Sequence, residues 1–329
     1  MAKIVRNASV SSIREASEEI LKFFGKGGLR HVYTVACGGS KAGLFPMYYL
    51  LNAEGKSFHS ENITANEFAL ATPKACDATS LVVAMSAAGG TPETAAAAKK
   101  AKECGAYVVT ISMKEECPLS ENSDFHFVQD PALVSLGGQG LAVRLGFELL
   151  RAFDGYGLYQ AAADGFEKLD AVTDKARSDA EKKAEAWARE HKDDFICYTM
   201  GSGANFNVAY TTSICHLMEM EWVHSNSIHS GEFFHGPFEI TDEHVPFLVY
   251  VSGGRTRVLD ERALRFLNKY CKEVEVIDAE EYGTKVFGAV EEYLEPMVLG
   301  GVGRTYMTKL AEAKKHPFLW RKYMFKEEY

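Results

Sequence analysis

Short apolar runs, each followed at once by small residues and glycine, set the pattern of the first part of the chain. The run His31–Ala36 precedes CGGSKAG, and Thr79–Ser86 precedes AAGG and an alanine-rich stretch that opens with Thr91 and Pro92. A threonine followed by a proline is typical of a helix cap and the first helical position. A third apolar run covers Ala106–Ser112. Buried strands that alternate with helices predict an α/β fold, with a parallel sheet flanked by helices on both faces.

The same pattern returns in the second half of the chain. Tyr198–Gly203 matches Tyr33–Gly38 at an offset of 165 residues, and Ser252 follows an apolar run as Ser86 does, at an offset of 166. Chance likeness of two short runs is the alternative, but the matching order of elements predicts an internal duplication into two tandem α/β subdomains. The expected boundaries are 1–160 for the first subdomain with its N-terminal helix, 161–192 for a helical connector, 193–300 for the second subdomain, and 301–329 for a C-terminal helix and tail.

Charge and composition narrow the possible partners. A net charge of −9 argues against a nucleic-acid partner, which would require a basic face. It leaves a phosphorylated ligand open, because backbone amides at a helix N-terminus can hold a phosphate. The N-terminal segment has no signal-type apolar run, and no apolar stretch approaches the roughly 20 residues that span a bilayer. Seven scattered cysteines without a CxxC pair indicate free thiols in a reducing compartment. We therefore expect a soluble cytoplasmic protein that does not act at a membrane.

Residues 86–94, SAAGGTPET, contain the parts of an anion-binding loop. Ser86 and Thr91 supply hydroxyl groups, Gly89 and Gly90 allow close backbone approach, and the following helix supplies amides. The chain has no GK[ST] or GxGxxG motif, so neither nucleotide-binding loop is predicted. Spacing alone leaves a simple helix cap and turn equally open. The segment CGGSKAG has the same ambiguity, with three candidate sugar contacts: Gly38, Gly39 and Ser40.

Two residues in the second half are candidates for acid-base chemistry. In IHSGEFFHGPFEI, residues 228–240, His235 stands just before the turn at Gly236 and beside Glu232. Glu219 lies in a predicted helix over residues 210–224, with apolar neighbours at helical spacing that would partly desolvate its carboxylate and raise its pKa. A loop histidine without a role and a surface glutamate are the alternatives.

Three motifs together resemble the sugar isomerase (SIS) proteins of the tandem type. CGGS at 37–40 is similar to the family's CG[TS]S loop, SAAGGTPET at 86–94 to its phosphate loop, and GEFFHGPFEI at 231–240 to its GE-x-x-HGP segment. In a synthase of this family, glucosamine-6-phosphate synthase, the catalytic glutamate stands sixteen residues before that histidine, which corresponds here to Glu219. The chain departs from the pattern at Ala88, where the family has a second serine, and further at SGGRTR, residues 252–257, to which no ligand is assigned.

Within that family the chain resembles the fructosamine-6-phosphate deglycases over almost its whole length, most closely at 218–243 and 316–329. The resemblance implies a substrate with an amino acid on C1 of fructose 6-phosphate, cleaved by water to glucose 6-phosphate and free amino acid. His235 would assist ring opening and Glu219 would transfer the proton from C1 to C2. It implies neither a metal nor another cofactor, and a homodimer, or a higher oligomer, with the site shared between subunits. The implied substrate-binding residues are Gly38, Gly39, Ser40, Ser86, Ala88, Gly89, Thr91 and Glu232.

Other functions remain open at this stage. The same fold and glutamate would serve an aldose-ketose isomerase or a glucosamine-6-phosphate deaminase, and a regulator would bind sugar phosphate without catalysis. The spacing of His224, His229 and His235 matches no common metal-ligand pattern. The lysine that the related synthase carries in its C-terminal tail has no clear counterpart. The leaving amino acid is not determined, and the segments that would line its half of the substrate are 135–140 and the tail from His316.

Overall fold

A computed structural model describes residues 3–324 and 326–328 of the chain. Residues 1 and 2, at the start of the predicted first subdomain, and residues 325 and 329, in the predicted tail, lie outside the described residues. The chain divides into two compact units, the first ending at Glu167 and the second beginning at Lys168. Within the described ranges, no helix has the length and apolar character that crossing a membrane requires.

The first unit is built on a parallel sheet of six strands in the order β1-β6-β5-β4-β2-β3. The two central strands β4 and β5 are buried at every position, because helices cover both faces. Their β-branched and apolar residues suit that environment. The strands are β1 (Lys3–Val5), β2 (His31–Ala36), β3 (His59–Thr64), β4 (Ser80–Met85), β5 (Tyr107–Ser112) and β6 (Phe125–Val128).

Helices follow these strands as the sequence pattern predicts. The first unit contains α1 (Val10–Phe24), α2 (Gly38–Glu54), α3 (Ala65–Leu70), α4 (Pro92–Glu103) and α5 (Gly138–Leu149), with a π-helical turn at Leu150–Asp154. The long helix α6 (Tyr159–His191) occupies the stretch for which the sequence predicts a connector. CGGSKAG is not a free loop, because α2 already begins at Gly38.

The direction of the chain changes between β2 and β4, which lie side by side in parallel. From β2 the chain passes to β3 on one side, whereas β4 and β5 lie on the other. Ligands in open parallel sheets bind in the crevice at such a switch point, beyond the carboxyl ends of the strands. The segments that begin at Cys37 and Ser86 follow these two strand ends, so both candidate loops flank the crevice.

The second unit repeats this order with four parallel strands, β10-β9-β7-β8. They correspond in turn to β5, β4, β2 and β3 of the first unit, and the predicted α/β fold class with two tandem subdomains is confirmed. The strands are β7 (Tyr198–Gly201), β8 (Ser227–His229), β9 (Phe247–Val251) and β10 (Val274–Asp278). The helices are α7 (Phe206–Tyr210), α8 (Arg257–Tyr270) and α9 (Glu291–Lys314), with a π-helix at Thr211–Glu221.

The helix predicted over residues 210–224 differs from the structure in type and in its end. The segment is wound as a π-helix, and it stops at Glu221 because Trp222 adopts the left-handed conformation, with φ 56° and ψ 34°. π-Helical segments are rare and are frequent at functional sites. Apolar spacing cannot distinguish them from an α-helix over so few turns.

Candidate active site

The loop after β4 brings two hydroxyl groups together at the switch point of the first unit. Ser86 is buried, and its Oγ lies 2.8 Å from Oγ1 of Thr91. The Gly89 amide donates to the Ser86 carbonyl at 3.0 Å, which closes the turn. Thr91 occupies the cap position of α4, yet its side chain makes no capping hydrogen bond. Thr91 is thus the cap of α4 by position while its hydroxyl faces Ser86, and its role in phosphate binding stays a prediction.

Gly89 has to be glycine for two reasons. Its φ is +70°, a conformation that other residues rarely adopt. A Cβ at this position would also lie 2.4 Å from Sγ of Cys117, in the segment after β5. The Leu119 amide donates to the Gly89 carbonyl at 3.1 Å and holds the loop against that segment. The loop is thus packed against the segment after β5 through Gly89, while Ala87, Ala88 and Gly90 are exposed.

The segment after β2 supplies a second set of amides at the same crevice. Cys37 occupies the cap position of α2, but its side chain makes no capping hydrogen bond. The first turn of the helix contains Gly38, Gly39 and Ser40. Amides in the first turn of a helix have no partner within the helix and are available to an anion or a sugar oxygen. Burial lowers the pKa of the next residue, Lys41.

In the second unit, a side chain of the protein occupies the corresponding crevice. The Glu295 carboxylate accepts hydrogen bonds from Ser252 Oγ at 2.5 Å, the Gly253 amide at 2.9 Å and Asn205 Nδ2 at 2.7 Å. Burial raises the pKa of Glu295 to about 8, against the effect of these donors. The segment 252–257, to which the sequence assigns no ligand, therefore binds an internal carboxylate. Sequence patterns do not identify Glu295, because it lies far along the chain in α9.

Glu219 lies near the end of the π-helix and is paired with a residue that the sequence did not single out. Nε of Arg321 donates to Oε1 of Glu219 at 2.5 Å, and the side chains of Arg321 and Glu219 are 13% and 24% exposed. The strongly desolvated carboxylate of this helix is instead that of Glu221, which is 1% exposed. Burial raises the pKa of Glu221 to about 7, while the ammonium group of Lys314, 3.9 Å away, opposes the rise.

His235 and Glu232 lie in the turn between β8 and a short 3-10 helix at Pro237–Ile240. Both are exposed, and the His235 amide donates to the Glu232 carbonyl at 2.9 Å. Between them, Phe233 is fully buried against other aromatic rings of the second unit and anchors the turn. Gly236 follows with φ 134° and leaves the His235 side chain at the surface. The imidazole makes no side-chain hydrogen bond to the described residues.

A cavity of about 550 Å³ lies between the end of the π-helix and the C-terminal segment. Glu219 and Trp222 line it from the helix, and Arg321, Lys322 and Tyr323 line it from the tail. The aromatic-basic tail that the sequence linked to the amino-acid half of a substrate therefore lies beside Glu219. The sequence alone could not indicate which tail residue would contact this carboxylate.

Comparisons with known proteins agree with this fold. The SIS domain model matches residues 29–132. Fructosamine deglycase FrlB of Bacillus subtilis (strain 168) is 42% identical over 91% of this chain and 92% of its own length. Fructoselysine 6-phosphate deglycase of Escherichia coli O157:H7 is 25% identical over 82% of this chain and 77% of its own. A solved structure of a candidate phosphosugar isomerase from Salmonella typhimurium LT2 is 36% identical, with a TM-score of 0.95 over 98% of both chains.

Proposed function

The chain belongs to the SIS-domain family that includes the fructosamine deglycases, and we propose that it is an enzyme of that activity. Its substrate is a 6-phosphorylated Amadori product, a fructose 6-phosphate with an amino acid on C1. The products are glucose 6-phosphate and the free amino acid. The observation that carries this proposal is the 42% identity to a fructosamine deglycase over 91% of the chain.

The phosphate group is assigned to the loop from Ser86 to Thr91. The two hydroxyls lie 2.8 Å apart, and the amides of Glu93 and Thr94, which follow Pro92 in the first turn of α4, are free of a side-chain cap, so the loop offers donors to an anion. Ala88 has no hydroxyl, and the backbone amide of Gly89 is already turned inward to Ser86. Thr91 and the first turn of α4 therefore provide most of the phosphate contacts. Gly38, Gly39 and Ser40 are assigned to the sugar.

Proton transfer makes the C1–N bond cleavable. After ring opening, Glu219 takes a proton from C1 of the open-chain ketose, and the electrons move to form an enolamine. Return of the proton to C2 produces an aldimine at C1, which one water molecule hydrolyses to the aldehyde and the amine. A single carboxylate positioned over two adjacent carbons is sufficient for both proton transfers. The overall reaction is therefore a hydrolysis that proceeds through an isomerase-type step.

Ring opening is assigned to His235, and Glu232 to the substrate contacts beside it. The imidazole stands on an anchored turn with its ring at the surface, an arrangement suited to contact with another subunit. We propose a homodimer in which the histidine of one protomer serves the substrate bound by its partner. A cytoplasmic location remains a prediction from the cysteine pattern; all seven cysteines lie within the described residues and are free thiols.

A panel of 6-phosphorylated Amadori compounds, assayed for release of glucose 6-phosphate, tests the proposed activity. Release of glucose 6-phosphate with one equivalent of amino acid supports it. The alternative reactions on this fold are tested with fructose 6-phosphate, with and without ammonia. If the enzyme converts fructose 6-phosphate and none of the Amadori compounds, the proposed deglycase activity is wrong. The activity would then be that of an isomerase or a deaminase.

A further inference from the structure

The guanidinium group of Arg321 has more hydrogen-bonding capacity than its partners use. Its Nε donates to Glu219 Oε1 at 2.5 Å and its Nη1 to the Trp320 carbonyl at 3.2 Å. Among the described residues, Nη2 has no hydrogen-bond partner. The side chain is 13% exposed and lines the cavity beside Glu219. A guanidinium group in this state is suited to a carboxylate, which it can bind through two parallel hydrogen bonds.

The surroundings of Arg321 are also positively charged. The guanidinium of Arg304 lies 5.2 Å from the centre of the Phe318 ring, and no carboxylate among the described residues pairs with it. His216, next to Phe318, is buried, and burial together with the charges of Arg304 and Arg321 lowers its pKa to about 4. The imidazole is therefore neutral at pH 7. Arg304 is exposed, and among the described residues Glu219 is the carboxylate that pairs with Arg321.

Aromatic rings form an apolar surface beside the cation. Trp222 packs against Trp320 at 5.3 Å and against His316 at 4.6 Å, and both indole side chains remain exposed. Trp222 and Arg321 line the same cavity as Glu219. A group that carries a carboxylate on an organic substituent would find a cation and an apolar surface side by side.

The contact between Arg321 and Glu219 has a chemical consequence for the proposed reaction. An oxygen that accepts an N–H hydrogen bond has one lone pair fewer with which to take a proton from carbon. While Arg321 is held by Glu219, one carboxylate oxygen is engaged. A second carboxylate that competes for the guanidinium would free that oxygen.

On the basis of the proposed function, we propose that Arg321 binds the carboxylate of the amino-acid half of the substrate and thereby releases Glu219 for proton transfer. Arg321 then determines which substrates are preferred, and it controls whether Glu219 is free to act as the base. Substrates whose amine substituent lacks a carboxylate leave Arg321 on Glu219 and react slowly. The expected discrimination appears in kcat as well as in KM.

The test compares two Amadori compounds that differ in one group. These are the fructose 6-phosphate adducts of glycine and of glycinamide, which replaces the carboxylate by a neutral amide of the same shape. With the wild-type enzyme, we expect kcat/KM for the glycine adduct to exceed that for the glycinamide adduct by roughly 10- to 100-fold, the scale of one charged hydrogen-bonded contact. In Arg321→Met the preference disappears, because the glycine adduct loses its contact with the guanidinium group and the glycinamide adduct reacts faster once Glu219 is no longer held. Arg321→Lys keeps part of the preference.

Lys315→Met is the matched control, since it removes one exposed positive charge from the same tail without lining the cavity. It should leave the preference unchanged. Equal losses on both adducts in Arg321→Met, or no preference in the wild type, would overturn the inference. Equilibrium binding of the two adducts separates this result from a failure of the proposed function. If the protein binds the glycine adduct more tightly than the glycinamide adduct but releases no glucose 6-phosphate, the role of Arg321 in recognition stands. The same result refutes the proposed deglycase activity.

Discussion

The carboxylate of Glu295 accepts a hydrogen bond from the hydroxyl of Ser252 at 2.5 Å. Ser252 is the counterpart of Ser86, whose hydroxyl pairs with Thr91 in the first unit. The two halves of the chain thus share a strand order but differ at the switch point of the sheet. In the crevice of the first unit two hydroxyls of one loop face each other, whereas the crevice of the second unit is filled by a carboxylate of the protein itself.

This buried carboxylate should make stability depend on pH. Burial raises the pKa of Glu295 from its usual 4.5 to about 8, so between these values the folded protein holds a proton that the unfolded chain releases. Its favourable contribution is fully present below pH 4.5 and is lost as the pH rises to about 8. The amide introduced by Glu295→Gln cannot titrate. We therefore expect the free energy of unfolding of the wild type to fall, relative to that variant, by at most about 1.4 kcal/mol per pH unit.

Urea unfolding of both proteins at several values between pH 5 and pH 8.5 measures this difference. Parallel stability curves across the interval would mean that Glu295 is ionised throughout, held by its three hydrogen-bond donors. The comparison is free of most other titrations, because both proteins share them.

Two adjacent glycines in the phosphate loop should respond differently to alanine. Gly89→Ala places a Cβ 2.4 Å from Cys117 Sγ in a backbone conformation with φ +70°, and we expect a loss of about 2–3 kcal/mol of stability. Because the loop must move, KM for a phosphorylated substrate should rise as well. Gly90→Ala meets no atom within 4 Å and serves as the control, with a stability change within about 0.5 kcal/mol. A similar effect of the two substitutions would contradict the packed form of the loop.

Removal of the proposed base should abolish most turnover without unfolding the protein. In Glu219→Gln the amide oxygen can still accept from Arg321, so we expect a normal fold and a fall in kcat of roughly 10²- to 10⁴-fold. Glu312→Gln, which neutralises an exposed carboxylate on α9, is the control and should keep wild-type turnover. Steady-state kinetics on an Amadori 6-phosphate and circular dichroism provide the two measurements. Near-normal turnover of Glu219→Gln would remove Glu219 from the mechanism.

A site shared between protomers predicts complementation. Glu219→Gln and His235→Ala are each expected to be inactive alone, because each lacks one of the two proposed groups. After subunit exchange, a mixed dimer contains one site with both groups intact, and part of the activity should return. Mass spectrometry of differently tagged subunits verifies that mixed dimers have formed. Inactive mixed dimers would place both groups on the same protomer.

The strand and loop pattern of this protein was predictable because it depends on neighbours in sequence. Apolar runs followed by glycine-rich segments identify the strands β2, β4 and β9, since burial on both faces of a parallel sheet demands continuous apolar residues. The spacing between Glu219 and His235 is likewise a local feature, and the family resemblance gave each residue a proposed role.

The partners of the candidate residues were decided by the tertiary structure alone. Arg321 reaches Glu219 from 102 residues away, and Glu295 reaches Ser252 from 43 residues away. A side chain at such a distance is chosen by how helices and tail pack on the sheet, and the sequence carries no period that reports it. The sequence by itself therefore determined the α/β architecture and the candidate groups. Packing decided which crevice is filled, and which cation lies on the proposed base, because long-range contacts depend on shape and burial and not on spacing along the chain.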